Sequence, residues 1–219
     1  MKRLDRNEEE AIIQTIMADL PADEPSIMRA ARQAVVTFDL AVRTDRPEAA
    51  LDAEHQYTAC VYKLNNGTNF GCQGGPEAAG PRIARFAAAD PGEVGMWMQK
   101  SEFLVEYNGM RAVLQSAGGP WLGYSRSWHA VDLDKPFISE TGYLSALSLP
   151  TIWGATYAEA AAIWLKATAQ HERKPRAIPD NAFIRTRPTE FPWVDAPAPA
   201  KPKTLTSSFE KGDLIELSF

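Results

Sequence analysis

Cysteine is scarce in this chain. Cys60 and Cys72 are the only two among 219 residues, too few for a disulfide framework. Long apolar runs are missing too, so no stretch is suited to span a bilayer and no membrane role is expected. The opening residues, MKRLDRNEEEAII, lack the apolar centre of a secretory leader, and the expected compartment is the bacterial cytoplasm. Positive charge is in deficit. Lys and Arg number 23 against 28 Asp and Glu, a net charge of −5. That balance disfavours a broad nucleic-acid-binding surface, and the expectation from it is that nucleic acid is not a direct ligand. No internal repeat is visible. There is no G-x-S-x-G nucleophile elbow, and no glycine-rich loop closing on Lys-Ser/Thr.

What is present is an ordinary globular composition, 45% hydrophobic and 23% charged, in a length that suits one large domain. The clearest signal is Asn108-Gly109 between two apolar runs, the dipeptide of a two-residue hairpin turn. It sets Tyr107 opposite Met110, Val105 opposite Ala112 and Phe103 opposite Leu114 on one face. Glu106 with Arg111 and Leu104 with Val113 occupy the other. A slip by one residue would send each set to the wrong side, so this register is well specified. A turn at Ala117–Pro120 leads into a third strand read over Trp121–Val131. The fold class is α+β: a three- or four-stranded antiparallel meander packed against helices, followed by a proline-rich C-terminal arm.

Residues 1–66 form a helical N-terminal part. Apolar stripes at helical spacing run through Ile12–Leu20, Ile27–Val42 and Leu51–Leu64, with Asp45 expected to cap the third helix. Residues 67–170 form the sheet-plus-helix core of the same domain. They open on the glycine-rich GTNFGCQGGPEAAG, read as a connector, with phosphate binding as the lesser reading. Cys72 sits in this loop with no nearby basic residue to activate it. Near the end of this part, Thr156–Glu159 makes a capping box for a helix to about Gln170, its buried stripe read as Ala160, Ile163, Trp164 and Ala167. Residues 171–219 are the arm. Its prolines favour extended backbone, yet Phe183, Phe191 and Trp193 are too apolar for a free tail. The arm is read as wrapping on its own domain or on a neighbouring copy, which would make a homodimer. Leu214–Leu217 could add an edge strand.

Chemistry-bearing residues concentrate at His129, Asp132, Asp134 and Glu140. Carboxylates with an imidazole can hold a divalent metal or divide acid and base roles, which makes these four the candidate catalytic residues. A continuing strand puts Asp132 and Asp134 on one face and His129 on the other, so convergence requires a bend near Val131. The bland alternative is a strand end followed by a solvated turn. Whether a metal binds is left open by the spacing, and no cofactor is implied. His55 and His171 stand outside any ligand pattern. A second candidate is an interface centred on Trp121, Tyr124, Arg126, Trp128 and Tyr143, aromatics with an arginine being the residues that dominate protein contacts. The arginines and lysine from Arg173 to Arg187 are diluted by Glu172 and Asp180, and phosphate contact is the lesser reading for them.

The stretch from His129 through Asp132, Asp134 and Ser139-Glu140-Thr141-Gly142 to Tyr143 resembles uncharacterised bacterial proteins, some carried on plasmids or phages. The resemblance attaches no named family and implies an accessory protein of a mobile element. The expected function is a non-enzymatic binding protein with a protein partner, an inhibitor or adapter. The alternative is a small metal-dependent hydrolase or nuclease built on the four residues above.

Overall fold

The hairpin at Asn108-Gly109 forms in the expected register. The chain described by this computed structural model comprises residues 5–120, 126–146, 149–172, 174–179 and 191–195. Strand β1 (Ser101–Tyr107) pairs with β2 (Met110–Ser116), placing Tyr107 opposite Met110, Val105 opposite Ala112 and Phe103 opposite Leu114. Asn108 and Gly109 both have positive φ, 47° and 77°, the mark of the turn type that the dipeptide favours. A Cβ built on Gly109 would meet nothing within 4 Å. The cost of a side chain there is therefore conformational alone. Gly109→Val should lower the unfolding free energy by about 1–3 kcal/mol, read from the urea midpoint. An unchanged midpoint would mean that the turn tolerates a β-branched residue and does not set the register.

Strands β3 (Arg126–Ala130) and β4 (Tyr143–Ala146) complete a four-stranded antiparallel sheet in sequential order. The third strand was expected to begin at Trp121; residues 121–125 lie outside the described chain. One sheet face, carrying Phe103, Val105, Leu114, Trp128 and Ala130, packs against helix α5 (Tyr157–Ala167) in a single apolar cluster. α5 opens with the expected capping box between Thr156 and Glu159. Its buried face is Tyr157, Ala160, Ala161, Trp164 and Leu165, while Ile163 is 48% exposed. The sequence stripe was thus rotated: Tyr157 begins the inward row, and Ile163 falls outside it. A single π-helical turn, Thr168–Glu172, follows α5.

Helices α1 (Arg6–Asp19), α2 (Glu24–Arg43), α3 (Pro47–Leu64) and α4 (Ala79–Phe86) precede the sheet. They build a second cluster from Ile13, Ile27, Ala31, Val35, Val61 and Ile83 among others. Asp45 does not cap α3. It has φ 52°, and the amides of Asp45 and Arg46 bond back to the carbonyls of Val42 and Ala41. Asp45 is the left-handed residue that closes α2, so the tight α2–α3 connection is spent on ending one helix and not on capping the next. Phe38 of α2 packs against both clusters, and Trp97 of the sheet cluster is tied to α2 beside it. The Trp97 backbone N–H donates to Asp39 of α2 at 3.1 Å, and its indole N–H donates to the Ala155 carbonyl at 2.9 Å.

The other sheet face is covered in part by the arm. Phe191, with Trp193 and Val194, packs on Leu104, Val113 and Val131, and the Trp193 indole donates to Glu102 at 3.0 Å. Arg176 pairs by backbone with Phe137, and Ile178 enters the main cluster. Phe183 and Leu214–Leu217, to which the sequence reading gave anchoring and an edge strand, lie outside the described residues.

Candidate functional site

The four candidate catalytic residues end in separate environments. Strand β3 stops at Ala130, so His129 is the last side chain but one on the ladder, and it points to the arm-covered face. It is buried, with its Nε2 2.8 Å from the Ser127 hydroxyl. Its ring meets Tyr143 and Phe191 edge to face at 5.1 and 5.4 Å. Burial among these groups pulls its pKa down to about 4, with Glu102 opposing weakly, so the ring is neutral at pH 7.

Asp132 follows in the turn and is taken by Arg111 of β2. The guanidinium approaches with two parallel N–H groups, Nε to Oδ2 at 3.0 Å and Nη2 to Oδ1 at 2.5 Å, and Lys135 adds a third contact at 3.0 Å. The Arg111 bonds, before the smaller contribution of Lys135, hold this carboxyl down at about 2. Arg111 was expected to face Glu106 across the hairpin. The two are register partners, but Arg111 directs its side chain to Asp132 and to Asp195 of the arm. Asp134 is exposed. Glu140 is also exposed and pairs with Arg176 at 2.7 Å. It lines a cleft of about 610 Å³ with Ser139, Thr141, His171 and Lys174. His129, Asp132 and Asp134 are not on that wall. Among the described residues no three His, Cys, Asp or Glu side chains are placed to hold one metal ion. The bend after Ala130 therefore separates the four instead of gathering them, and the hydrolase alternative finds no support.

The aromatic group also divides. Trp128 is fully buried on the α5 side of the sheet. Arg126 is buried, donates to the Tyr157 hydroxyl at 3.0 Å and to the Leu149 carbonyl, and lies over the Trp164 ring at 4.9 Å. These two were offered as interface residues, and they are interior: β3 is a central strand, so its inward side chains are covered by the helix. Tyr143 packs on His129. Trp121 and Tyr124 lie outside the described residues.

A different surface has the opposite character. α2 buries Ile27, Ala31, Ala34, Val35 and Val42 against its neighbours. Its remaining side is open, and Arg29, Arg32 and Arg43 are exposed along it. Between Glu24 and Asp45 the one carboxylate is Asp39, buried and 3.3 Å from Arg43. Val36 and Leu40 lie on the same open side, 39% and 49% exposed. A helix face bearing three arginines stands out in a chain of net negative charge, with the exposed carboxylates Asp23 and Glu159 acting on Arg29 and Arg43 at its two ends.

Comparison with known proteins bears on this part of the chain. The family model described as the KlcB N-terminal DNA-binding domain matches residues 12–86, which run from within α1 to the end of α4. Two curated proteins, both called Protein KlcB and both from Escherichia coli, are similar over most of the chain. One is 40% identical over 199 residues, covering 87% of this chain and 49% of the relative. The other is 33% identical over 216 residues, covering 97% and 46%. The chain thus spans about half the length of these curated relatives. No solved structure matches it significantly.

The family match runs against the expectation that nucleic acid is not a direct ligand, and it shows that residues 12–86 are similar to a named family where the resemblance had none. Net charge misled because it averages over all faces. Residues 12–86 contain seven Lys and Arg against nine Asp and Glu, so even the matched segment is acidic in sum. The usable signal was finer: Arg29 and Arg32 fall opposite the apolar stripe in a run from Pro25 to Phe38 that contains no acid, and Arg43 joins them on that side beyond Asp39.

Proposed function

We propose that this chain is a DNA-binding accessory protein of a mobile element, with the DNA-binding unit in residues 12–86. The observation that carries the reading is the family match over those residues, which run from within α1 to the end of α4. The exposed arginines of α2 support it, because phosphate neutralisation by Lys and Arg supplies most of the affinity of such proteins. The absence of transmembrane character in any described helix is consistent with access to DNA. The sheet and the docked arm then act as the body that holds the helical unit.

Binding of the full chain to a fluorescently labelled duplex tests this reading. Affinity should fall by at least tenfold between about 50 and 200 mM salt, as counterions released from the phosphates come to oppose association. No change in anisotropy at about 50 mM salt with micromolar protein would overturn it.

A further inference from the structure

We infer that the open face of α2 is the surface that enters the major groove of duplex DNA, with arginines at its two ends on the phosphates and the middle of the helix on the base edges. This rests on the DNA-binding reading and goes beyond it, since the family description names no residue and no face.

The geometry follows from the helix itself. At 100° per residue, Arg29, Arg32, Val36, Leu40 and Arg43 fall within a wedge of about 80°. Arg29 and Arg43 are about 21 Å apart along the axis at 1.5 Å rise per residue. The major groove is about 12 Å wide between its phosphate rims and admits one α-helix. The span of about 21 Å exceeds that width, so the helix lies obliquely along the groove, with Arg29 and Arg32 meeting phosphates at one end and Arg43 at the other. Between the two ends the face presents Val36 and Leu40, with Gln33 at its edge beside the α3 groove. Glutamine can bond bidentately to adenine, and apolar side chains meet the thymine methyl group, so this middle suits A·T-containing sequence.

Charge decides which side of α2 is used. On the α3 side, α2 borders a shallow groove lined by Ala30, Gln33, Thr37, Asp52 and Gln56, where the Asp52 carboxylate would repel a phosphate, so Gln33 marks the boundary of the usable face. The arginines lie on the other side of the wedge. The face is also rigid. The inward row of α2 packs on α3 through Ala31 and Ala34, which are essentially inaccessible to solvent, and Asp39 ties the helix to Trp97. A prepositioned helix gives up little conformational freedom on binding. Exposed Val36 and Leu40 also invite a second copy of the chain, but three arginines around them would then be stacked against three more, which disfavours that occupant.

The test compares the full chain with R29A/R32A/R43A and with a charge-matched control, K100A/K166A/K174A, whose lysines are exposed on the sheet and arm side. Circular dichroism melting confirms that both variants fold. Each lost phosphate contact removes about one unit from the slope of log affinity against log salt, so the α2 variant should lose about two to three units while the control keeps most of its slope. Gln33→Ala should leave the slope unchanged and flatten the preference among duplexes selected from a random pool. An α2 variant that binds as the wild type does, while wild-type binding persists, overturns this inference and leaves the DNA-binding reading standing. Equal loss in the control shows diffuse binding and overturns it as well. Absence of binding by the wild type defeats both. A dimer that Leu40→Glu dissociates, with DNA affinity unchanged, assigns the face to a second copy and overturns the inference.

Discussion

Replacing Trp97 by alanine should cost about 3–5 kcal/mol, the range for removing a fully buried large aromatic. Trp97 is 1% exposed, belongs to the sheet cluster and is bonded through its backbone to Asp39 of α2. Its ring packs on Tyr157 at 5.1 Å and edge-on to Trp164 at 5.6 Å, and these rings also contact each other and Phe103. The indole N–H to Ala155 fixes the approach to α5. Alanine would leave a cavity lined by rigid rings that cannot collapse into it, and would orphan the Ala155 carbonyl. Against a typical total of 5–15 kcal/mol, that loss approaches global unfolding. Trp97→Phe keeps most of the packing and loses the hydrogen bond, and should cost about 1–2 kcal/mol. Urea denaturation followed by far-UV circular dichroism measures both. A Trp97→Ala loss under about 1 kcal/mol would show that the clusters are held together elsewhere.

The Asp39–Trp97 link shows why parts of this molecule were hidden in the sequence. Its partners are 58 residues apart. Nothing local marks Asp39 as buried; on a helical pattern it reads as one more polar residue beside Phe38. The hairpin is the opposite case. Its turn dipeptide and both alternating rows lie within Phe103–Leu114, so local chemistry specifies every pairing. The same holds for the capping box at Thr156. The ion pair expected between Glu106 and Arg111 failed for a long-range reason: Asp132, 21 residues downstream, offers two oxygens in a less exposed place. A fork of two bonds there outweighs one contact across an exposed hairpin.

The candidate site was legible as a set of polar residues but not as an arrangement. His129 and Glu140 are separated by the turn that Pro136 and Gly142 help to form, and that turn carries them to different surfaces. Charge by face was legible in principle. The acid-free run in α2 needs only the sequence and a helical wheel, whereas the total charge cancels it. The arm was legible in kind: its aromatics promised anchoring, and Phe191 and Trp193 provide it on the second sheet face.

That anchoring makes the molecule sensitive to mild acid. Phe191 and Tyr143 enclose His129, which keeps the imidazole neutral until about pH 4. In the unfolded chain it takes up a proton near pH 6.5. Between these values the unfolded state binds the extra proton, so stability rises with pH across this window and falls as pH drops through it. The full difference amounts to roughly 2–3 kcal/mol by pH 4. Asp132 acts lower down. Its carboxyl is held near 2 by Arg111, so its contribution is complete above its unfolded value of about 4 and is lost as pH falls toward 2. Glu54 works in the other direction, since burial raises its pKa and its protonation favours the folded state. The His129 contribution is isolated by a difference: urea midpoints of the wild type and of His129→Gln at pH 7, 5.5 and 4.5. Glutamine offers Ser127 a partner and has no proton to gain, so the wild type should lose about 2 kcal/mol more than the variant over this range. Parallel profiles for the two proteins would show that His129 is hydrated, and that Phe191 does not seal this face of the sheet.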